Sequence, residues 1–430
     1  MQLALKIFLP LGIGLLAQSA AALFDGFSFL RYVRLGRRRL LNNFTPPAAV
    51  IIPCKGIDKD FERNVRSYLN QDYPRYQVIF TVASKDDAAY QAFRRRIETA
   101  EKGNQDAEAR GPGAARLSLD GSRESESGGV HAALVVAGYS ESRGEKVHNL
   151  LKGLEAVDAK VEVLVFADID AHPDGHWLRS LVAPLEDPNV TVSTGFRWYL
   201  PGAEFVSRLR AAWDTSIATL LGDHNHNFAW GGSMAVRAHD FRRLAVAERY
   251  WANAISDDFT LTRAVREAGG KIRFEPRCLV ASREASPLGQ FLSWANRQII
   301  ITRVYSPGLW WKGMAADAFY CGTMLLGLTM LVLPGLSGGE RLLVAGILLA
   351  ILLLGAGKGR IRAIVASELF PGEDSCLSRY GACYWRLSPL VPWVMLANFL
   401  VACMTRRIEW RGTHYEMKSW NETRVLRREK

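Results

Sequence analysis

The sequence predicts an α/β protein: a mostly parallel sheet domain with an N-terminal signal-anchor and C-terminal membrane helices. Three observations predict it. From Ala48 to about Val304, short apolar runs alternate with stretches of helical spacing, the pattern of strands and helices layered on a parallel sheet. The other apolar residues gather in one run near the N-terminus and in runs after Gly313. Basic residues stand beside those runs: Arg31, Arg34, Arg37, Arg38 and Arg39 after the first, Arg406 and Arg407 after the last.

In chain order, Ile7 to Phe24 carries no charge, and its length approaches the ~20 residues of a spanning helix. A cleaved signal peptide has its positive cluster before the apolar run. Here the cluster follows, which puts the N-terminus outside and Arg31 to Arg39 in the cytosol. Ala48 to Pro53 reads as a buried strand, Phe61 to Leu69 as a helix, Tyr76 to Val82 as a second strand and Asp86 to Lys102 as a helix. Residues 101–129, rich in Gly, Ser, Glu and Arg, read as an exposed, mobile insertion. His131 to Ala137 and Val161 to Phe166 read as further strands. Met314 to Leu333 and Leu342 to Leu354 form a helical hairpin turned at Gly335 to Gly339. Leu387 to Met404 carries Pro389 and Pro392 in its first turns; it either spans or lies kinked at the interface. A full span there places the basic tail outside, against the positive-inside tendency.

The net charge of +11 lies beside the apolar runs and accompanies no nucleic-acid-binding motif, so membrane headgroups, not nucleic acid, are its partners. The six cysteines, Cys54, Cys278, Cys321, Cys376, Cys383 and Cys403, give neither a disulfide framework nor a zinc spacing. There is no Ser–His–Asp arrangement, Walker P-loop or G-x-G-x-x-G fingerprint.

Three segments carry chemistry. The run Val163 to Ala167 ends abruptly in Asp168 and Asp170. Alternate residues of extended chain face one way, and ligands of open α/β sheets bind beyond the carboxyl ends of strands. Two such carboxylates suit a hard cation, Mg2+ or Mn2+; the plain alternative is a solvated turn. Ser256-Asp257-Asp258-Phe259 precedes a helix over Leu261 to Ala268. It reads as an N-cap with acidic first turn, or as a carboxylate placed to act as general base. Gln290 to Gln298 reads as a membrane-proximal helix. There Trp294 and Arg297 serve either a diphosphate site or the headgroup region. His172 and His176, and His224 and His226, have spacings that could ligate a metal, but read first as surface or polar-network pairs. Cys54 reads as a small buried residue, and Gly231-Gly232-Ser233-Met234 as a tight turn.

The order of these elements resembles the family 2 glycosyltransferases of the GT-A fold, particularly the ceramide glucosyltransferase branch and its bacterial relatives. The resemblance spans about Pro46 to Arg303, and Trp410-Arg411-Gly412-Thr413-His414-Tyr415 is similar to a W-R-G-x-x-Y tail of membrane members. It implies a GT-A domain over 45–305, an anchor over 1–30, membrane helices over 306–405 and a basic tail over 406–430. It also implies donor contacts by Pro53 and Lys55 in the first strand's turn, by Asp87, and by Lys146 and Asn149 of Lys146-Val147-His148-Asn149-Leu150. Asp168 and Asp170 match the metal-binding D-x-D, and Asp258 the catalytic base. In the Q-x-x-R-W signature Gln290 and Trp294 fit, while Ser293 stands where Arg is expected; Arg297, one turn on, is expected to supply the charge.

Together these imply an inverting transfer from a nucleotide-sugar, a UDP-hexose, to the hydroxyl of a lipid acceptor at the cytosolic face of a membrane. Gln290 and Arg297 assist at the phosphates, and Trp294 packs near sugar or acceptor. Two rivals share the sequence features: a processive polysaccharide synthase, which needs more spans, and a non-catalytic membrane scaffold, which the altered Ser293 position favours.

Overall fold

The structure is a computed structural model. It describes residues 1–104, 116–118 and 131–429, which cluster into two compact units. One comprises residues 38–197, 224–280 and 407–430; the other, residues 1–37, 198–223 and 281–406. The segments 198–223 and 281–305, which the sequence reading grouped with the sheet, cluster with the apolar helices.

The sheet has eight strands: β1 (Ala48–Cys54), β2 (Tyr76–Val82), β3 (Arg116–Ser118), β4 (His131–Val136), β5 (Val163–Ala167), β6 (Val190–Tyr199), β7 (Ser233–Arg237) and β8 (Lys271–Ser282). Their order is β3-β4-β2-β1-β5-β7-β6-β8. Strands β3, β4, β2, β1 and β5 run parallel, and β7 is antiparallel to both β5 and β6. The mostly parallel α/β fold is therefore as predicted. Alternation along the strands divides the apolar residues between two cores. Val50, Ile52, Val163 and Val165 join one, while Ala49, Ile51, Leu164 and Phe166 join the other. That is the period-two signature of a sheet covered on both faces.

The predicted strands β1, β2, β4 and β5 and the helix Phe61–Leu69 stand within a residue or two of their expected bounds. Strands β6, β7 and β8 carry no such signal. Their runs are interrupted by Thr191, Ser193 and Thr194, which are buried, and by charges along β8. The segment 101–129, expected as an insertion, contributes β3, paired with β4 from Arg116↔His131 to Ser118↔Ala133. The rest of that expectation lies outside the described residues, apart from the helix Ala88–Asn104.

In the other unit, three helices are long and apolar enough to cross a membrane: Gln2–Arg38, Pro307–Val332 and Gly338–Leu369. The first runs on through the basic cluster, where Arg34 pairs with Glu368 at 2.6 Å. Leu5, Phe8 and Leu15 pack with Met324, Met330, Val344 and Leu348. The capping box of Ser337 and Glu340 starts the third helix, satisfying its free N–H groups reciprocally. The expected segment Leu387 to Met404 is helical from Val391 to Met404, over 14 residues. Such a helix rises about 21 Å, short of the ~30 Å hydrocarbon core.

The basic tail forms a second sheet. Strands β9 (Arg407–Trp410), β10 (Thr413–Ser419) and β11 (Glu422–Arg428) pair antiparallel in the order β11-β10-β9, and they belong to the unit of the eight-stranded sheet.

Candidate active site

Strand β5 stops at Ala167, and Asp168 and Asp170 follow at its carboxyl end. The neighbouring β7 is antiparallel, with Ala167 opposite Ser233, so the turn before β7 lies beside Asp168. Close approach explains the Gly231-Gly232 pair there. A Cβ on Gly231 would sit 2.2 Å from Asp257 Oδ2 and 2.6 Å from Lys146 Nζ. One on Gly232 would sit 2.8 Å from Asp168 Oδ2. The expected turn is present, closed by Ser233 N–H donating to the Trp230 carbonyl, with Ser233 and Met234 already in β7.

Lys146, on the helix Glu145–Leu154, joins the two acidic segments. Its Nζ is 2.9 Å from Asp168 and 3.1 Å from Asp257. Burial alone would lower the Lys146 pKa, but the charges of Asp168, Asp257 and Asp258 outweigh it and raise the pKa well above the ordinary lysine value. Burial pushes Asp257 up to about 6 despite Lys146, with Asp258 and Asp168 adding to the rise. The ion-pair geometry and the raised carboxyl pull in opposite directions. The direction for Asp257 is upward, because its side chain is nearly sealed from water, 2 % exposed, and desolvation penalises its anion.

Asp258 has a different environment. Ser256 caps the helix Asp257–Glu267, its hydroxyl oxygen accepting from Phe259 N–H at 3.2 Å. The Ser256 hydroxyl donates to Asp258, and Gly231 N–H donates to Asp258 Oδ2 at 3.3 Å. Asp258 is half-buried, so its carboxylate is oriented and still reachable.

Asp170 pairs with Arg197, whose Nη2 lies 2.6 Å from Oδ1 and 3.6 Å from Asp168 Oδ2. Burial would raise Asp170, but the Arg197 guanidinium holds it at about 2. Tyr68 donates its hydroxyl to the Asp168 carbonyl at 2.7 Å, fixing the strand end. Among the described residues no group of three or more His, Cys, Asp or Glu side chains could hold a metal. The pair Asp168 and Asp170 thus offers two carboxylates and no third ligand. That set fits a hard cation whose remaining positions go to substrate phosphates and water, the usual way Mg2+ is held.

The other expected donor residues cluster around the end of β1. Pro53 lies in the strand, and Lys55 Nζ pairs with Glu145 at 3.0 Å. Asp87 accepts from Gly56 N–H and Ala89 N–H, each at 2.8 Å. Asn149 is buried, and its Oδ1 has no hydrogen-bond partner. Burial pushes the Cys54 thiol well up, so it stays protonated and serves as packing. His176 sits 3.2 Å from Asp72 at the surface, while the rings of His224 and His226 lie 5.9 Å apart.

Gln290, Trp294 and Arg297 stand on the helix Leu288–Tyr305 of the other unit. Within that unit, the guanidinium of Arg210 is 4.2 Å from the ring centroids of both Trp294 and Tyr199 and pairs with Glu284 at 2.7 Å. Arg210, only 2 % exposed, is not singled out by the sequence, because its stacking partners Tyr199 and Trp294 lie on other elements and leave no local spacing. Arg197 is likewise paired only across elements, with Asp168 and Asp170 at the end of β5. Asp257 was legible only as a helix-start acid.

A mostly parallel α/β sheet thus brings carboxylates and a lysine together beyond its strand ends, where ligands of open α/β sheets bind. The chain belongs to glycosyl transferase family 21, whose sequence profile matches residues 15–100 and 128–423. It is thus a glycosyltransferase, of family 21 where the sequence reading named family 2. No curated protein sequence matches the chain. Among solved structures it is similar to a mannosyltransferase from Pyrobaculum calidifontis in complex with GDP-Man and Mn2+. That match has 16% identity over 92% of this chain and 97% of the other, with a TM-score of 0.44. A second similarity is to glucosyl-3-phosphoglycerate synthase from Mycobacterium tuberculosis, at 16% identity over 64% of this chain and 82% of the other, with a TM-score of 0.35.

Proposed function

We propose that this glycosyltransferase is membrane-bound and inverting, and moves a hexose from a UDP-sugar to the hydroxyl of a lipid acceptor, as in the ceramide glucosyltransferase-like branch. The observation that carries the reading is the Lys146 bridge. It brings the β5 carboxylates and the acids at the start of the helix Asp257–Glu267 to one place.

Asp258 is the general base. Its Oδ2 is held by Gly231 N–H and its Oδ1 by Ser256, and it takes the proton of the acceptor hydroxyl as that oxygen attacks the anomeric carbon. The sugar–phosphate bond breaks as the new glycosidic bond forms, and the nucleoside diphosphate leaves with the electron pair. Asp168 and Asp170 would hold Mg2+ or Mn2+, which when bound neutralises charge on the diphosphate. Pro53, Lys55, Asp87, Lys146 and Asn149 line the donor side. Gln290, Trp294 and Arg297 are proposed as further donor contacts on the order of the motifs alone. Three spans keep the sheet unit on the side of Arg31 to Arg39, the cytosol by the positive-inside tendency. That the helix Val391–Met404 is shorter than a span supports the tail on that side too.

The test is nucleotide release and lipid mass spectrometry with purified protein, membrane lipid extract, UDP-hexoses and Mg2+ or Mn2+. A lipid gaining one hexose is expected, with turnover lost on chelation and restored by either cation. Asp258→Asn should lower the rate by about 10²–10⁴. A polymeric product would point to the processive synthase. Full activity of Asp258→Asn, or no turnover with any donor, overturns the assignment.

A further inference from the structure

The loop joining β9 to β10 is a two-residue hairpin: Trp410 pairs with Thr413, leaving Arg411 and Gly412 at the turn. Both have positive φ, 47° and 75°. This is the geometry of a type I′ turn, where Asn, Asp or Gly is favoured at the first position. An arginine there carries a backbone cost that Asn or Gly would not. Its Nη1 donates to the Lys55 carbonyl at 2.5 Å, at the loop leaving β1. Its charge also reaches Asp170, Asp58 and Cys54. The hairpin is pinned there: the Tyr415 hydroxyl accepts from Glu145 N–H at 3.2 Å, and Arg428 pairs with Glu141 at 2.5 Å.

The other cations at these strand ends already have carboxylate partners. Lys146 is committed to Asp168 and Asp257, Arg197 to Asp170, and Lys55 to Glu145. Arg411 makes no ion pair among the described residues and is exposed. A donor diphosphate arriving at these strand ends brings negative charge to a place already crowded with carboxylates. Of the four cations, only Arg411 meets it without abandoning a carboxylate partner.

We propose that Arg411 is a donor-binding residue whose guanidinium grips the diphosphate of the nucleotide-sugar, carried to the β1 and β5 strand ends by the C-terminal sheet. This rests on the nucleotide-sugar reading above. The left-handed backbone makes the test clean, since Arg411→Asn and Arg411→Gly suit the turn better than arginine does. Titration of the full-length protein with UDP in the presence of Mn2+ should show about tenfold or weaker binding for both variants, the scale of a lost charge-assisted hydrogen bond. The thermal midpoint should be equal or higher, and the donor KM should rise more than kcat falls. UDP affinity equal to wild type in both variants overturns the assignment, as does a weakening that only tracks a lowered thermal midpoint. Wild-type protein that binds no UDP overturns the nucleotide-sugar reading itself, and this inference with it.

Discussion

Lys146 Nζ stands 3.1 Å from Asp257 Oδ2, and the carboxylate is 3 % exposed. Removing one partner of a buried pair leaves the other charged and unpaired, which costs about 3–5 kcal/mol. Lys146→Ala should therefore lower stability by about 3 kcal/mol and abolish turnover. Adding Asp257→Asn should restore part of the stability but not the activity. Thermal denaturation of the two single variants and the double variant measures the coupling. Strict additivity would show that the pair is not energetically linked.

The Gly231-Gly232 turn has no room for a Cβ. Gly231→Ala puts a methyl 2.2 Å from Asp257 Oδ2, whereas Gly289 has nothing within 4 Å of its added Cβ. Gly231→Ala should lose turnover by about a hundredfold or more, because the turn also holds Asp258, and general-base help is worth about 10²–10⁴. Gly289→Ala, in the first turn of a helix, should stay near wild type. Side-by-side rates of the two variants make the comparison, and a fully active Gly231→Ala would contradict the packing at this turn.

The pH dependence follows from Asp257. Burial raises its folded pKa to about 6 from a model-compound 3.8, so between these values the folded protein binds more protons than the unfolded chain. Stability therefore falls as pH rises from about 4 to about 6 and levels off above, by proton linkage. Asp257→Asn should flatten that slope. Denaturation midpoints of both proteins across this window check it, and identical slopes would locate the titrating group elsewhere.

Much of this was legible in the amino-acid order, because its causes are local. Apolar runs bounded by turns marked β1, β2, β4 and β5. The uncharged run Ile7 to Phe24 before its arginine cluster marked the first of the three helices long and apolar enough to cross a membrane, and Asp168, Asp170 and Asp258 stood at element ends. What the tertiary structure alone decided is pairing across distance. β6, β7 and β8 are fixed as strands by pairing with neighbouring strands, not by alternation. Lys146 meets Asp257 only because the helix Glu145–Leu154 and the start of the helix Asp257–Glu267 converge. Arg411, in the W-R-G-x-x-Y stretch of the basic tail, reaches Lys55 only through a hairpin with a left-handed turn. Periodicity and charge are properties of neighbouring residues, whereas an ion pair between residues a hundred or more positions apart exists only once the sheet has fixed its register.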